Sequence, residues 1–177
     1  MKKIKTKFNG LFLIKTKNNY DNRGFLREIY MRKNFKKNFI FDYYSLSKRN
    51  TVKGLHFQLN KPQDKLIIIL KGKIIDYCLD LRKNSKTFLN LFKIKLSSKK
   101  GEALFVPAGF AHGYKALDKE NIVLYKNTEY RDEKSEMGIN IFDKQFSLGL
   151  DKNKFIVSKK DKTNMNLKQF LKLYKSL

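Results

Sequence analysis

The chain contains two histidines, His56 and His112, each set in a distinctive string: Lys53-Gly54-Leu55-His56-Phe57-Gln58 and Pro107-Ala108-Gly109-Phe110-Ala111-His112-Gly113. Against a background of 40 lysine and arginine residues, imidazole is the scarce chemistry. Its unperturbed pKa, about 6.5, lets it accept and return a proton near neutral pH. Gly54 lacks a Cβ, so another group can approach the backbone closely just before His56. On a regular strand His56 and Gln58 share one face while Leu55 and Phe57 take the other. Facing inward, the polar pair lines a pocket; facing outward, it is ordinary surface.

Acid–base chemistry is what remains once other constellations are weighed. There is no His-x-His pair, and a metal site would need both histidines plus carboxylates from distant segments. No catalytic metal is expected. The segment Gly109-Phe110-Ala111-His112-Gly113 has neither the spacing nor the lysine of a phosphate-binding loop. Cys78, the single cysteine, excludes an intramolecular disulfide and fits a reducing compartment. It lies in Ile74-Ile75-Asp76-Tyr77-Cys78-Leu79-Asp80-Leu81, which reads as a strand, and is expected to be a buried, inert thiol.

The elements that must position these residues are mostly short strands. Phe8–Ile14, Phe25–Met31, Phe39–Leu46 and Val52–Gln58 are rich in aromatic and branched residues and are separated by Asn, Asp and Gly. Lys65–Leu70 and Lys73–Leu81 flank Lys71-Gly72, which reads as a tight hairpin turn. Phe88–Leu96, Ala103–Val106, Phe110–Leu117, Ile122–Lys126 and Gly138–Phe142 continue the pattern. Strands and turns at this spacing predict an all-β sandwich or barrel. Leu167, Phe170, Leu171 and Tyr174 recur at helical spacing, predicting one amphipathic helix over about 166–176, capped by Asn164 or Asn166 and packed on the barrel. No repeat, low-complexity tract or linker divides the 177 residues, so residues 1–177 read as a single domain.

Five strings, taken in order, resemble those of the dTDP-4-dehydrorhamnose 3,5-epimerases. They are Asp21-Asn22-Arg23-Gly24-Phe25-Leu26-Arg27-Glu28, Gly54-Leu55-His56-Phe57-Gln58, Pro107 through Gly113, Leu124-Tyr125-Lys126 and Ser158-Lys159-Lys160-Asp161. The resemblance runs from about Phe8 to Asp161. It implies a cupin-like double-stranded β-helix, or jelly-roll, barrel, normally a homodimer, without a metal or other cofactor. The implied reaction inverts C3 and C5 of a nucleotide-linked 4-keto-6-deoxyglucose. By the same resemblance His56 is the base, Asp161 orients its ring, and Lys65 stabilises charge on the ketone oxygen. Tyr125 is the acid on the opposite face, and His112 is the second pocket histidine. Arg23, Glu28, Lys53 and Glu136 match substrate-contacting positions. Four positions depart from the family pattern: Phe41 and Tyr43 stand where the family has Gln-x-Asn, Lys53 replaces an arginine, and Arg131 occupies the place of an aromatic stacking residue, beside Tyr130. The departures gather on the nucleotide side.

The remaining question is charge. The formal net charge is +24. Lysine outnumbers arginine and is spread from end to end, whereas base and phosphate readers favour arginine in blocks. A solvated basic surface is expected rather than a nucleic-acid-binding protein, with weak attraction for anions. The apolar run Leu11-Phe12-Leu13-Ile14 is too short for a signal peptide, and no stretch is long enough to cross a bilayer. The expected location is the cytoplasm, and the expected ligand is a nucleotide sugar.

Overall fold

A computed structural model describes residues 1–175. Its strands, in chain order, are β1 (Lys2–Lys5), β2 (Phe12–Lys15), β3 (Asn18–Asp21), β4 (Gly24–Arg27), β5 (Phe41–Lys48), β6 (Val52–Gln58), β7 (Lys65–Lys71), β8 (Lys73–Asp80), β9 (Leu91–Ser97), β10 (Glu102–Val106), β11 (Phe110–Ala116), β12 (Glu120–Asn127) and β13 (Glu136–Gly138). Two helices follow, α1 (Lys159–Lys162) and α2 (Leu167–Lys175). One sheet has the order β1-β2-β10-β7-β12-β5, the other β13-β6-β11-β8-β9, and β3 and β4 form a separate two-stranded hairpin. The strand pairs are antiparallel. This is the cupin-like jelly roll that the sequence leads one to expect.

Alternation along the strands builds the layers. Ile67 and Ile69 of β7 join Leu104, Val123, Ile74, Cys78 and Tyr114 in a core between the two sheets. Leu66 and Ile68, one residue out of phase, pack with Ile14, Phe105 and Phe35 on the outer face of the six-stranded sheet. The run Leu66-Ile67-Ile68-Ile69 is apolar throughout because β7 is covered on both faces. On the outer face of the five-stranded sheet, Leu55 and Phe57 of β6 pack with Leu79, Ile139, Ile141, Leu167 and Phe170.

Helix α2 closes that outer layer. Asn166 is its cap: the Asn166 side chain accepts from the Gln169 backbone N–H at 2.8 Å, and the Gln169 side chain accepts from Asn166 N–H at 2.8 Å. Each satisfies a donor that the first turn would leave unpaired. Phe170 meets Phe57 edge-on at 5.7 Å, and the Tyr174 hydroxyl donates to the Leu81 carbonyl at 2.9 Å. The helix therefore braces the back of β6, the strand that carries His56. Ser176, in the segment expected to be helical, lies outside the described residues.

Several local expectations change; Gly138–Phe142, expected as a strand, meets β13 only at its last residue, Gly138. Lys71-Gly72 is not a hairpin within one sheet: β7 and β8 belong to different sheets, and Gly72 turns the corner between them at φ +82°. A Cβ there would lie 2.5 Å from the Glu120 carbonyl oxygen. The charged start of the chain forms β1, pairing with β2 from Lys2↔Lys15 to Lys5↔Phe12. Phe8 and Leu11, expected on a strand, are buried in a turn tied by the Thr6 hydroxyl, which donates to the Leu11 carbonyl at 2.7 Å.

Candidate active site

The two histidines come together because two backbones can touch. Strands β6 and β11 pair with His56 opposite His112, and the register shifts just beyond, between His112 and Tyr114. Gly54 and Gly113 sit at that irregularity. A Cβ on Gly54 would lie 2.6 Å from the His112 carbonyl oxygen, and one on Gly113 2.3 Å from the Lys53 oxygen. Gly54 also holds φ +95°, a conformation that a side chain disfavours. Directly opposed residues share a face, so both imidazoles point into one cavity of about 510 Å³. Gln58 lines the same cavity, which settles the orientation of β6: its polar pair faces inward.

Each ring is held by its own carboxylate. His56 Nε2 lies 2.6 Å from Asp161 Oδ1, and Asp161 Oδ2 accepts from the Gly54 backbone N–H at 3.3 Å. Asp161 is carried by α1, where the Ser158 hydroxyl oxygen accepts from the Asp161 N–H at 3.0 Å and caps the turn. Burial alone would raise the Asp161 pKa. The bond and charge of His56, with the Gly54 and Ser158 contacts, hold it below the usual carboxylate value. An ionised Asp161 can only accept, so Nε2 carries a hydrogen, and in the neutral ring the lone pair lies on Nδ1.

His112 Nε2 lies 2.8 Å from Oδ2 of Asp76, a fully buried residue of β8. The other Asp76 oxygen accepts from the Cys78 thiol at 3.4 Å. Ligand atoms of Asp76, Cys78 and His112 lie within 4.8 Å of one another, a spacing compatible with a metal ion. Burial, then the neighbouring Asp76 charge and hydrogen bond, push the Cys78 thiol well up, in keeping with its donation to Asp76. Asp76 was not singled out in the sequence; its only signal there is an acid set between apolar residues of a strand.

The opposite wall comes from the other sheet. Tyr125 of β12 stacks on Tyr43 of β5 at 4.7 Å and meets His112 edge-on at 6.0 Å. Burial, reinforced by Tyr114, Tyr43 and Asp76, raises its phenol well above 10 and keeps it protonated, against a smaller opposing effect of Ser45. Lys65, the first residue of β7, donates to the Gln63 side-chain oxygen at 2.6 Å. Burial lowers its pKa to about 8, with Glu136 opposing and Arg131 adding to the shift.

Phe41, Tyr43, Lys53, Arg131 and Glu136 complete the cavity wall named by the sequence, so all four departures from the family pattern lie on it. The Lys53 ammonium stands 5.8 Å from the Tyr114 ring centre. Gln58 pins the loop that carries Arg131: its amide donates to the Tyr130 carbonyl at 3.2 Å and its oxygen accepts from Asp132 N–H at 2.9 Å. Arg23 and Glu28 are not brought here. Arg23 sits at the exposed β3–β4 turn, paired with Asp21 at 2.7 Å, and Glu28 is exposed just beyond β4.

A histidine of one sheet, bonded to a carboxylate from α1, faces a protonated phenol and a lysine of the other sheet, the groups that an epimerase needs to remove a proton from one face of a carbon and return one to the opposite face. A family model described as dTDP-4-dehydrorhamnose 3,5-epimerase matches residues 5–169. The chain is 37% identical to the dTDP-4-dehydrorhamnose 3,5-epimerase of Methanothermobacter thermautotrophicus over 90% of each chain, and 30% identical to that of Escherichia coli over 98% of each. The Bacillus anthracis enzyme, solved with TDP and PPi bound, superposes with a TM-score of 0.89 at 36% identity, over 94% of this chain and 99% of that one. The Legionella pneumophila enzyme, solved in complex with dTDP-4-keto-L-rhamnose, superposes at 0.88 with 30% identity, over 94% and 93%. The chain belongs to the dTDP-4-dehydrorhamnose 3,5-epimerase family.

Proposed function

We propose that the chain inverts C3 and C5 of dTDP-4-dehydro-6-deoxy-D-glucose, the epimerisation step of dTDP-L-rhamnose biosynthesis, with His56 as base and Tyr125 as acid. The observation that carries this assignment is their placement on opposed sheets across one cavity, with His56 bonded to Asp161 at 2.6 Å. His56 takes the proton from a carbon beside the C4 ketone, and the C–H electron pair moves onto the ketone oxygen as an enolate. Lys65 and His112 stabilise that oxygen, an interaction stronger in the transition state than in the ground state. Tyr125 then gives its proton to the opposite face as the enolate collapses. His56 then releases its proton to solvent and Tyr125 regains one from solvent, and the same steps repeat at the second carbon. The substrate's own ketone serves as electron sink, so proton removal and return balance without a cofactor.

The assembly in this reading is a homodimer. Tyr20, Phe25 and Leu26 on the β3–β4 hairpin and Tyr44 and Leu46 on β5, at one end of the six-stranded sheet, are exposed apolar side chains that a second copy would cover. Arg23 and Glu28 would then meet substrate only in the assembled form. The even basic surface attracts the anionic nucleotide sugar without specific nucleic-acid recognition. Among the described residues no helix is long and apolar enough to cross a membrane. The free, buried Cys78 fits a cytoplasmic site of action.

The test is hydrogen exchange at C3 and C5 of dTDP-4-keto-6-deoxyglucose in deuterated water, followed by NMR. Exchange at both carbons is expected. His56→Ala should slow it by about 10³-fold, and Tyr125→Phe should impair product formation by about 10²-fold. Undiminished exchange in the His56 variant rules out the proposed base.

A further inference from the structure

Tyr114 of β11 is a fully buried tyrosine whose hydroxyl the proposed proton transfers do not use. It reaches from the five-stranded sheet to β5 of the six-stranded one, where Ser45 and Ser47, two residues apart, share a face. The Tyr114 hydroxyl lies 2.7 Å from Ser47 Oγ and 3.1 Å from Ser45 Oγ. Ser45, Tyr114 and Tyr125 line the cavity, whereas Ser47 is buried behind them and does not. Across β5 and β12, Tyr125 stands opposite Tyr43 and Val123 opposite Ser45, so Ser45 is the diagonal neighbour of Tyr125 on the same face. Burial, with Tyr114, Tyr43 and Asp76, raises the Tyr125 pKa, and the Ser45 hydrogen bond opposes them. Tyr114 raises it only as a second negative charge; as a hydroxyl it bonds to Ser45.

A tyrosine that has given its proton away can only accept at its oxygen, and a buried phenolate is costly unless a donor meets it. Each hydroxyl has one proton to donate. The chain can therefore point one way, with Ser47 donating to Tyr114, Tyr114 to Ser45, and Ser45 to Tyr125. Hydrogen bonds in such a chain polarise one another and strengthen the last of them. We infer that Tyr114 is a positioning residue: its hydroxyl, anchored by Ser47, turns the Ser45 proton toward Tyr125 and stabilises the phenolate left when Tyr125 protonates the sugar carbon. The inference rests on the reading of Tyr125 as the acid. In that step the enolate supplies the electron pair of the new C–H bond, and the pair of the broken O–H bond stays on Tyr125. Ser45, Tyr114 and Ser47 each keep their proton, and Tyr125 regains one from solvent. His56 is bonded to Asp161 instead, so proton removal does not draw on the chain.

The decisive variant is Tyr114→Phe, which removes one oxygen and keeps the ring. With dTDP-4-keto-6-deoxyglucose in deuterated water, abstraction by His56 should continue, and a deuteron returned to the same face gives labelled, uninverted substrate. The ratio of labelled substrate to inverted product should rise about five-fold, and kcat should fall about ten-fold with KM within about two-fold. Ser45→Ala should raise the ratio similarly, and Ser47→Ala, a change outside the cavity, about two-fold. Beside Tyr125→Phe, Tyr114→Phe should add no further loss, because the oxygen it serves is gone. Wild-type kcat and ratio in Tyr114→Phe overturn the inference, as does an effect confined to KM or one that persists undiminished beside Tyr125→Phe. If Tyr114→Phe fails to fold, the two serine variants decide, and an unchanged ratio in both overturns it. Full inversion by Tyr125→Phe alone would instead overturn the acid assignment, which separates the two failures.

Discussion

Lys65 shows how burial makes one lysine among many chemically distinct. With its pKa lowered to about 8, its ammonium is costly to bury below that pH, and the cost fades as pH rises from about 8 toward 10.5, where the unfolded chain also loses the proton. This residue therefore adds stability on the alkaline side, while the charge proposed to stabilise an enolate is lost there. We expect kcat/KM to fall above pH 8. Lys65→Arg, which stays charged, should move that decline to higher pH at a reduced maximal rate, as read from pH–rate profiles. Tyr125 does not confuse the assignment, since its phenol titrates well above 10. In the sequence His56 and His112 stood out by scarcity and by their strings. Lys65 and Asp161 emerged only through resemblance, because a lysine in a lysine-rich chain carries no signal of its own. Asp76 was missed because its role depends on a cross-strand partner, His112, 36 residues away.

At the level of elements, the site depends on β6 and β11 approaching at Gly54 and Gly113. Gly54→Ala would place a methyl group 2.6 Å from a backbone oxygen at a positive φ, with no flexible neighbour to give way. It should cost about 3 kcal/mol in urea unfolding and displace His56 enough to abolish activity. Strand identity was readable wherever alternation or a continuous apolar run was strong, as in β6, β7 and β8. The strand β1 was not, because Lys2-Lys3-Ile4-Lys5 has one half-buried side chain and is held by ladder hydrogen bonds to β2. Lys71-Gly72 reads locally as a hairpin because the same glycine geometry serves a tight turn and a corner between sheets. Which of the two it makes is decided by where β8 finds its partners.

The whole molecule is expected to be a dimer, and light scattering should return twice the 21.0 kDa chain mass. Replacing Tyr44 and Leu46 together by lysine, on an exposed face, should shift the protein toward monomer and reduce activity with it. A mass of one chain at assay concentration would reject the dimer. By itself the sequence determined the all-β class, the C-terminal helix and, through its ordered strings, the family with its jelly-roll barrel and the candidate residues for proton transfer, because periodicity, scarcity and ordered strings are properties of the chain. Only the tertiary structure decided that His56 and Gln58 face inward, that Asp161 reaches His56 across 105 residues, and that the Tyr114 hydroxyl meets Ser45 and Ser47 of the facing sheet. These facts follow from the pairing of distant strands and the docking of a one-turn helix, and their contact energies exist only once the chain has closed on itself.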